Sequence, residues 1–205
     1  MAGGKTRIAV LASGRGSNFI AIADAVREGK INGEIVLLFS NRPEAAAVET
    51  ARERNITAEV LEPKGLSRED YDAAIVKTLN AHEAELVLLA GYMKIVGPEI
   101  IKAFPNRIIN IHPSLLPAFP GLGAQKQAIE YGAKVSGCTV HFVDEGVDTG
   151  PVILQATVPV HGDDTEETLA ARILKEEHRL YPEAVRLFTE GKIQVEGRRV
   201  TLKGE

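Results

Sequence analysis

The feature that most constrains the fold is a regular alternation of short apolar runs with segments of helical spacing. Five runs are almost continuously apolar, as strands are when helices cover both faces of a parallel sheet. They are RIAVLAS (7–13), EIVLLFSN (34–41), AEVLEP (58–63), ELVLLAG (85–91) and RIINIHP (107–113). Helical spacing is found between them in NFIAIADAVREGK (18–30), PEAAAVETARERN (43–55) and SREDYDAAIVKTLNAHE (67–83). The last of these starts with Ser67, and Asp70 three residues on predicts a helix cap there. The alternation predicts right-handed crossovers and a Rossmann-like, doubly wound α/β fold with a mostly parallel sheet.

The pattern changes after residue 133. Two strand-like segments, KVSGCTVHFV (134–143) and GPVILQATVPV (150–160), are joined by DEGVDT without a helix between them. A long amphipathic segment (165–191) follows with Thr165 as its predicted N-cap, and KIQVEGRRVTL (192–202) has the pattern of a hairpin. We therefore predict an antiparallel C-terminal extension of the sheet. The chain is expected to form one domain, 1–205, with two halves of about 1–105 and 106–205.

Composition narrows the class of protein. The net charge is −4 and the basic residues are spread along the 205-residue chain, which argues against a nucleic-acid-binding surface. Cys138 is the only cysteine, so an internal disulfide is impossible. The N-terminal segment does not match a signal peptide, and we find no run long enough to cross a bilayer. We expect a soluble cytoplasmic protein that binds neither nucleic acid nor membrane.

The loop LASGRGSN (11–18) joins the first predicted strand to the first predicted helix, where α/β proteins bind anions. Gly14 and Gly16 give a G-x-G pattern, but Phe19 stands where a dinucleotide fingerprint has its third glycine. Ser17 and Asn18 stand at the start of the helix instead. This loop favours a single phosphate over a pyrophosphate, and the alternative is an ordinary strand-to-helix turn.

Asn110 and His112 interrupt the apolar run of the fifth predicted strand. They alternate with Ile109 and Ile111, so their side chains share one face of the strand. Ligands of open α/β sheets bind at the carboxyl ends of the strands. An amide beside a protonated imidazole can stabilise an oxyanion, and the imidazole can also move a proton. The alternative for His112 is a core histidine that donates to a backbone carbonyl.

Asp148 is the candidate partner of His112. It lies in the acidic loop DEGVDT just before an apolar strand, and a nearby carboxylate would orient the imidazole and favour its charged form. By composition alone, a solvated acidic turn is the better explanation of Asp144 and Glu145 in the same loop. His141 alternates with apolar residues and fits a core position. A metal site of His112, His141 and Asp148 lacks any recognised ligand spacing, so we expect no metal.

Four segments resemble the phosphoribosylglycinamide formyltransferases of purine synthesis, also called GAR transformylases. They are SGRGSN (13–18), LAGYMKIV (89–96), NIHPSLLPAFPG (110–121) and GCTVHFVDEGVDTGPVILQ (137–155). The resemblance runs from residue 7 to about 190. The N-x-H-P-S-L-L-P run is also shared with methionyl-tRNA formyltransferase and formyltetrahydrofolate deformylase. The SGRGSN loop favours the GAR transformylases, as does the expectation that the chain lacks the tRNA enzyme's C-terminal domain and the deformylase's N-terminal regulatory domain.

The resemblance implies transfer of a formyl group from 10-formyltetrahydrofolate to the amine of glycinamide ribonucleotide, without a metal. It implies a nucleotide-binding N-terminal half and a catalytic, folate-binding C-terminal half, in a monomer or homodimer. The implied catalytic residues are Asn110, His112 and Asp148. The implied nucleotide-binding residues are Gly16, Ser17 and Asn18 for the phosphate and Glu177 for the ribose. The implied folate-binding residues are Arg68, Met93, Lys94, Ile95, Val96, Asp144, Glu145, Gly146 and Val147, with Asp148 closing that loop.

The same resemblance implies a cis peptide bond between Leu116 and Pro117. Two positions depart from the pattern. Gly123 stands where the family leads us to expect histidine, and Lys94 replaces an arginine of some members. Two other functions stay open: a formyltetrahydrofolate deformylase-like hydrolase, and a non-catalytic module that binds folate or nucleotide.

Overall fold

The computed structural model describes residues 4–204. Within that range the first half of the chain alternates strands and helices, and a hairpin of two strands closes the second half. The elements are β1 (Thr6–Leu11), α1 (Ser17–Arg27), β2 (Gly33–Ser40), α2 (Ala46–Glu53), β3 (Ala58–Val60), α3 (Arg68–Ala81), β4 (Leu86–Leu89), α4 (Pro98–Ala103), β5 (Ile108–His112), α5 (Ala124–Tyr131), β6 (Val135–Phe142), β7 (Val152–Pro159), α6 (Glu166–Thr189), β8 (Ile193–Glu196) and β9 (Arg199–Leu202).

The first seven strands belong to one sheet in the order β3-β2-β1-β4-β5-β6-β7. β1 runs parallel to both β2 and β4, and β2 runs parallel to β3. β6 and β7 pair antiparallel, and β8 and β9 form a separate antiparallel hairpin. The predicted α/β fold, with a mostly parallel sheet and an antiparallel C-terminal extension, is confirmed.

Burial explains why the central strands are continuously apolar. All four residues from Ile8 to Leu11 are fully buried, and so are Leu86, Val87 and Leu88 of β4. A strand with helices on both faces needs apolar side chains at every position, whereas a half-exposed strand alternates. β1 and β4 therefore form the apolar centre that anchors the loops at their carboxyl ends.

The two predicted helix caps are confirmed. Ser67 precedes α3 and its hydroxyl accepts from the backbone N–H of Asp70. Thr165 precedes α6 and forms a reciprocal capping box with Thr168. Capping of this kind satisfies backbone N–H groups that have no partner inside the helix.

Two helices, α4 and α5, were not predicted from the sequence. α4 has six residues and begins at Pro98, and α5 has eight residues, of which only Ala124 and Ala128 are buried. Helices of fewer than about three turns give too few apolar repeats for a helical period to stand out. Both helices also follow loops rich in glycine and proline, which interrupt any helical pattern in the sequence.

By internal contacts the chain divides into two compact units, one ending at Ile109 and the other beginning at Asn110. The first unit carries the glycine loop and the segment Met93–Val96. The second carries Asn110, His112 and Asp148. The organisation as one domain with two halves stays a prediction.

Cys138 lies in β6 and is fully buried. Burial, together with the nearby carboxylates of Glu177 and Glu176, raises the pKa of its thiol to about 12. None of the helices between residues 4 and 204 is long and apolar enough to span a membrane.

Candidate active site

Asn110, His112 and Asp148 lie together in the second unit. Asp148 Oδ2 is 3.3 Å from His112 Nδ1, and Asp148 Oδ1 is 3.5 Å from Asn110 Nδ2. Asn110 and His112 are brought to the same carboxylate because they are two residues apart on β5, which puts both side chains on one face. The three predicted catalytic residues thus form one polar cluster.

Both ring nitrogens of His112 face acceptors. Nε2 lies 2.9 Å from the carbonyl oxygen of Phe119, and Nδ1 faces the carboxylate of Asp148. His112 is only 5% exposed, so water cannot substitute for these partners. A ring with an acceptor at each nitrogen is complementary to the imidazolium, which donates from both. The alternative of a core histidine held by a backbone carbonyl agrees with the contact to Phe119. It does not account for the second contact, to the Asp148 carboxylate.

Asp148 is held in place from several sides. The backbone N–H of Gly121 donates to its Oδ2 at 2.8 Å. Burial alone raises the pKa of the Asp148 carboxyl, but His141, the Gly121 N–H and His112 together outweigh burial and hold the pKa below its ordinary value. Asp148 is therefore a carboxylate near neutral pH. Its φ of 55° places it in the left-handed region, which non-glycine residues seldom adopt unless the surroundings impose it.

His141 also belongs to this cluster, although its place in the sequence predicted a core residue. It is 2% exposed, and its Nδ1 lies 2.8 Å from the Phe142 carbonyl oxygen, to which it donates. Its Nε2 lies 3.1 Å from Asn110 Nδ2 and 3.7 Å from Asp148 Oδ1. With Nδ1 donating to Phe142, Nε2 is directed at both the Asn110 amide nitrogen and the Asp148 carboxylate. One feature of the sequence could have indicated this role: His141 carries a polar ring on a strand whose other residues are mostly buried.

His112, His141 and Asp148 do come together, as the metal alternative required. Even so, no set of three or more His, Cys, Asp or Glu side chains within residues 4–204 has a geometry that could hold a metal ion. The cluster is instead joined by hydrogen bonds and charge.

The glycine loop ends at the N-terminus of α1, which begins at Ser17. Gly16 is the N-cap with φ 75°, and a Cβ on it would lie 2.7 Å from the Cβ of Ala47. Gly16 is therefore required both by its left-handed backbone and by close packing on α2. The first N–H groups of an α-helix have no carbonyl partner within it and can attract an anion. The phosphate-binding role of this loop stays a prediction.

The segment Met93–Val96 is fixed to the glycine loop within the first unit. The backbone N–H of Met93 donates to Ser13 Oγ at 2.8 Å, and Ser13 Oγ donates to Asn41 Oδ1 at 2.5 Å. Ser13 and Asn41 are both buried. Met93 and Ile95 expose 58% and 65% of their surfaces, which is unusual for large apolar side chains.

The remaining predicted residues divide between the two units. In the first, Arg68 is the exposed first residue of α3, and Lys94 Nζ lies 5.2 Å from the centroid of the Tyr71 ring. In the second, Glu177 is buried on α6. Asp144 Oδ1 accepts from Gly146 N–H and Thr149 Oγ1, so this carboxylate braces its own loop.

Glu145 and Val147 in the same loop are exposed. The structure thus forms the loop as predicted, with two side chains free to face a ligand. The folate-binding role of the loop stays a prediction.

The predicted cis bond between Leu116 and Pro117 is confirmed. Gly123, the position where histidine was expected, precedes α5 with φ 68°. Apart from Gly123 and its two chain neighbours, no side chain of the described residues lies within 4 Å of where its Cβ would be. Glycine at this position is favoured by the left-handed backbone and not by crowding.

Comparison with known proteins assigns the class. The sequence profile of the formyl transferase family matches residues 6–185. The chain belongs to this family of transferases, and the predicted resemblance is confirmed.

Comparison with individual relatives narrows the match from the family to particular enzymes. The chain is 45% identical over 181 residues to the phosphoribosylglycinamide formyltransferase of Bacillus subtilis, covering 88% of this chain and 93% of that protein. It superimposes on the crystal structure of glycinamide ribonucleotide transformylase 1 from Symbiobacterium toebii with a TM-score of 0.95 and 55% identity, over 97% of this chain and 94% of that one.

A third relative is much longer. The trifunctional purine biosynthetic protein adenosine-3 of Drosophila melanogaster is 46% identical over 190 residues, which are 91% of this chain. The chain spans only 14% of the length of that protein.

Proposed function

We propose that the protein transfers the formyl group of 10-formyltetrahydrofolate to the glycine amine of N1-(5-phosphoribosyl)glycinamide, a step of purine biosynthesis. The observation that carries this proposal is the Asn110–His112–Asp148 cluster in a chain of the formyl transferase family. The names of its relatives supply the acceptor substrate.

In the proposed reaction the amine nitrogen attacks the formyl carbon and the carbonyl oxygen becomes an oxyanion. Asn110 Nδ2 and His112 Nδ1 now make long contacts to Asp148, of 3.5 and 3.3 Å. We propose that the oxyanion is received between these two donors and shares their hydrogens with the carboxylate. Stabilisation by preorganised donors of this kind is worth about 3–4 kcal/mol for each donor removed.

The intermediate then collapses by breaking the bond between the formyl carbon and N10. The nitrogen that attacked must lose a proton and N10 must gain one. Asp148 is a carboxylate held beside His112, so it can pair with the imidazolium form of the ring and relay that proton through a water molecule. Alignment of two bound substrates supplies much of the remaining acceleration.

For the nucleotide, we propose that the phosphate binds the first turn of α1 at Gly16, Ser17 and Asn18, and that Glu177 contacts the ribose. The first-turn N–H groups and the dipole of a helix both favour an anion, which supports the first of these roles. For the folate, we propose contacts with Arg68, with Met93–Val96, and with the loop 144–148. The exposed apolar side chains of Met93, Ile95 and Val147 support that role.

One assay tests the function. The purified protein is mixed with 10-formyltetrahydrofolate, with and without the ribonucleotide, and cofactor consumption is followed. Consumption that needs the ribonucleotide supports the transferase. Consumption without it indicates a deformylase-like hydrolase, and no consumption with retained binding of both ligands indicates a binding module.

The phosphate site has a separate test. Asn18→Ala is expected to weaken binding of the ribonucleotide while leaving the affinity for tetrahydrofolate unchanged, as measured by calorimetric titration. Unaltered nucleotide affinity would remove Asn18 from the proposed site.

A further inference from the structure

The chain makes a partly buried turn between His112 and the carbonyl that holds its ring. After β5 it passes through Ser114 and Leu116, and it returns so that the Phe119 carbonyl oxygen lies 2.9 Å from His112 Nε2. Ser114 and Leu116 are buried, and Ser114 Oγ donates to the Ala118 carbonyl within the turn. The position of Phe119, and hence of the imidazole, depends on what holds this turn.

Thr139 on β6 contacts the turn on both sides of Leu115. Its hydroxyl donates to the Ser114 carbonyl at 2.7 Å and accepts from the Leu116 N–H at 3.0 Å. Gln155 Nε2 also donates to Thr139 Oγ1, at 2.9 Å. A hydroxyl has one hydrogen to donate and two lone pairs to accept, so Thr139 uses its full capacity here.

Gln155 on β7 completes the arrangement. It lies directly opposite Thr139 in the antiparallel register of β6 and β7. Its Nε2 donates to the Leu116 carbonyl at 2.9 Å as well as to Thr139 Oγ1. Gln155 therefore fixes the rotation of the Thr139 hydroxyl, leaving its hydrogen directed at Ser114.

We propose that Thr139, oriented by Gln155, is a positioning residue for catalysis. Neither side chain hydrogen-bonds to His112 in the described part of the chain. They hold residues 114–116, and through them the Phe119 carbonyl, so that the imidazole is fixed with its other nitrogen towards Asp148. This inference rests on the proposed function for its kinetic consequences, but the orientation of the His112 ring can be measured without activity.

The test compares three substitutions on β6. Thr139→Val keeps the shape and removes the hydroxyl, and Thr139→Ser restores it. Ser136→Ala is the matched control, because Ser136 is 1% exposed on the same strand and its Oγ has no hydrogen-bond partner among residues 4–204. Thermal unfolding is measured for all three, so that a loss of stability can be separated from a loss of rate.

Thr139→Val is expected to lower kcat by about 10- to 100-fold with KM for both substrates within about twofold, since small displacements of a reacting group cost rate and not ground-state binding. Thr139→Ser should recover most of kcat, and Ser136→Ala should match the unsubstituted protein. In nitrogen-detected NMR, the His112 ring signals should shift in Thr139→Val alone. Unchanged ring signals with unchanged kcat in Thr139→Val would overturn the proposal, and so would failure of Thr139→Ser to recover.

Gln155→Leu covers the case in which Thr139→Val does not fold. Gln155 is at an exposed position, and Thr139 keeps its two backbone contacts in this variant. A smaller fall in kcat, again without a change in KM, is expected, and an unchanged kcat contradicts the role of Gln155. If the unsubstituted protein transfers no formyl group, the proposed function fails, and the ring signals alone then decide the positioning role.

Discussion

The carboxylate of Asp148 offers the sharpest test of the proposed mechanism. Asp148→Asn keeps the size of the side chain and an oxygen that can accept from Gly121, but removes the negative charge beside His112. The two side chains are 6% and 14% exposed, and Asp148 Oδ2 lies 3.3 Å from His112 Nδ1. The change therefore acts on one electrostatic contact in a site that is largely closed to water.

The magnitude follows from that distance. At an effective dielectric constant of about 20, a carboxylate and an imidazolium at this separation attract by about 5 kcal/mol. Part of this attraction is offset because both groups lose hydration in the folded protein. A net loss of about 3–4 kcal/mol in the transition state is expected, which lowers kcat by about 10²- to 10³-fold.

The assay is steady-state formyl transfer with each substrate varied in turn, beside circular dichroism and thermal unfolding. Glu130→Gln is the control, since it changes the net charge equally but lies on the exposed surface of α5, paired with Lys126. The expected pattern is a large fall in kcat, KM values near those of the unsubstituted protein, and an intact fold. A kcat within fivefold of the control would refute the assigned role of Asp148.

Three further substitutions test the surroundings of the proposed ligand segments. Gly16→Ala forces φ 75° on alanine and a 2.7 Å approach to Ala47, so it should destabilise the protein to urea by about 2–4 kcal/mol. An unchanged unfolding midpoint would contradict this. Ser13→Ala leaves the Met93 N–H without its acceptor, so hydrogen exchange at that amide should accelerate, and unaltered exchange would rule out the contact. Burial raises the pKa of Asp72 above its ordinary 3.8. Because its folded pKa exceeds the unfolded one, Asp72 lowers the free energy of unfolding as pH rises above about 4. In urea titrations, the free energy of unfolding of Asp72→Asn should therefore increase relative to that of the unsubstituted protein from about pH 4 to pH 7. A gain that shrinks over that range would contradict the reasoning.

The sheet could be predicted because its signal is repeated and local. Both faces are buried over Ile8–Leu11 of β1, Leu37–Phe39 of β2 and Leu86–Leu89 of β4. Residues buried in this way appear in the sequence as unbroken apolar runs. Ser67 and Thr165 were predictable as caps because the motif lies within four residues. α4 and α5 were not, because one or two buried residues in a short helix leave no period to read.

The cluster was predictable only in part. Asn110 and His112 are two residues apart, and this spacing on a strand predicts that their side chains share one face. The loop that contains Asp148 was suggested by its composition. His141 was missed because a buried strand residue resembles core until its contact with Asn110 is seen. Thr139 and Gln155 could not be found either, since their role depends on the register of β6 against β7 and on a turn that lies far away in sequence.

The burial of Cys138 has a practical consequence. A thiol reacts with alkylating reagents as its thiolate, and a buried thiol with a pKa of about 12 presents almost none near neutral pH. The folded native protein is therefore expected not to react with maleimide or iodoacetamide labels. A single cysteine introduced at the half-exposed Val147 would then carry a fluorophore at one known place. Such a probe could follow the loop around Asp148 in real time as ligands arrive, without first removing the natural cysteine.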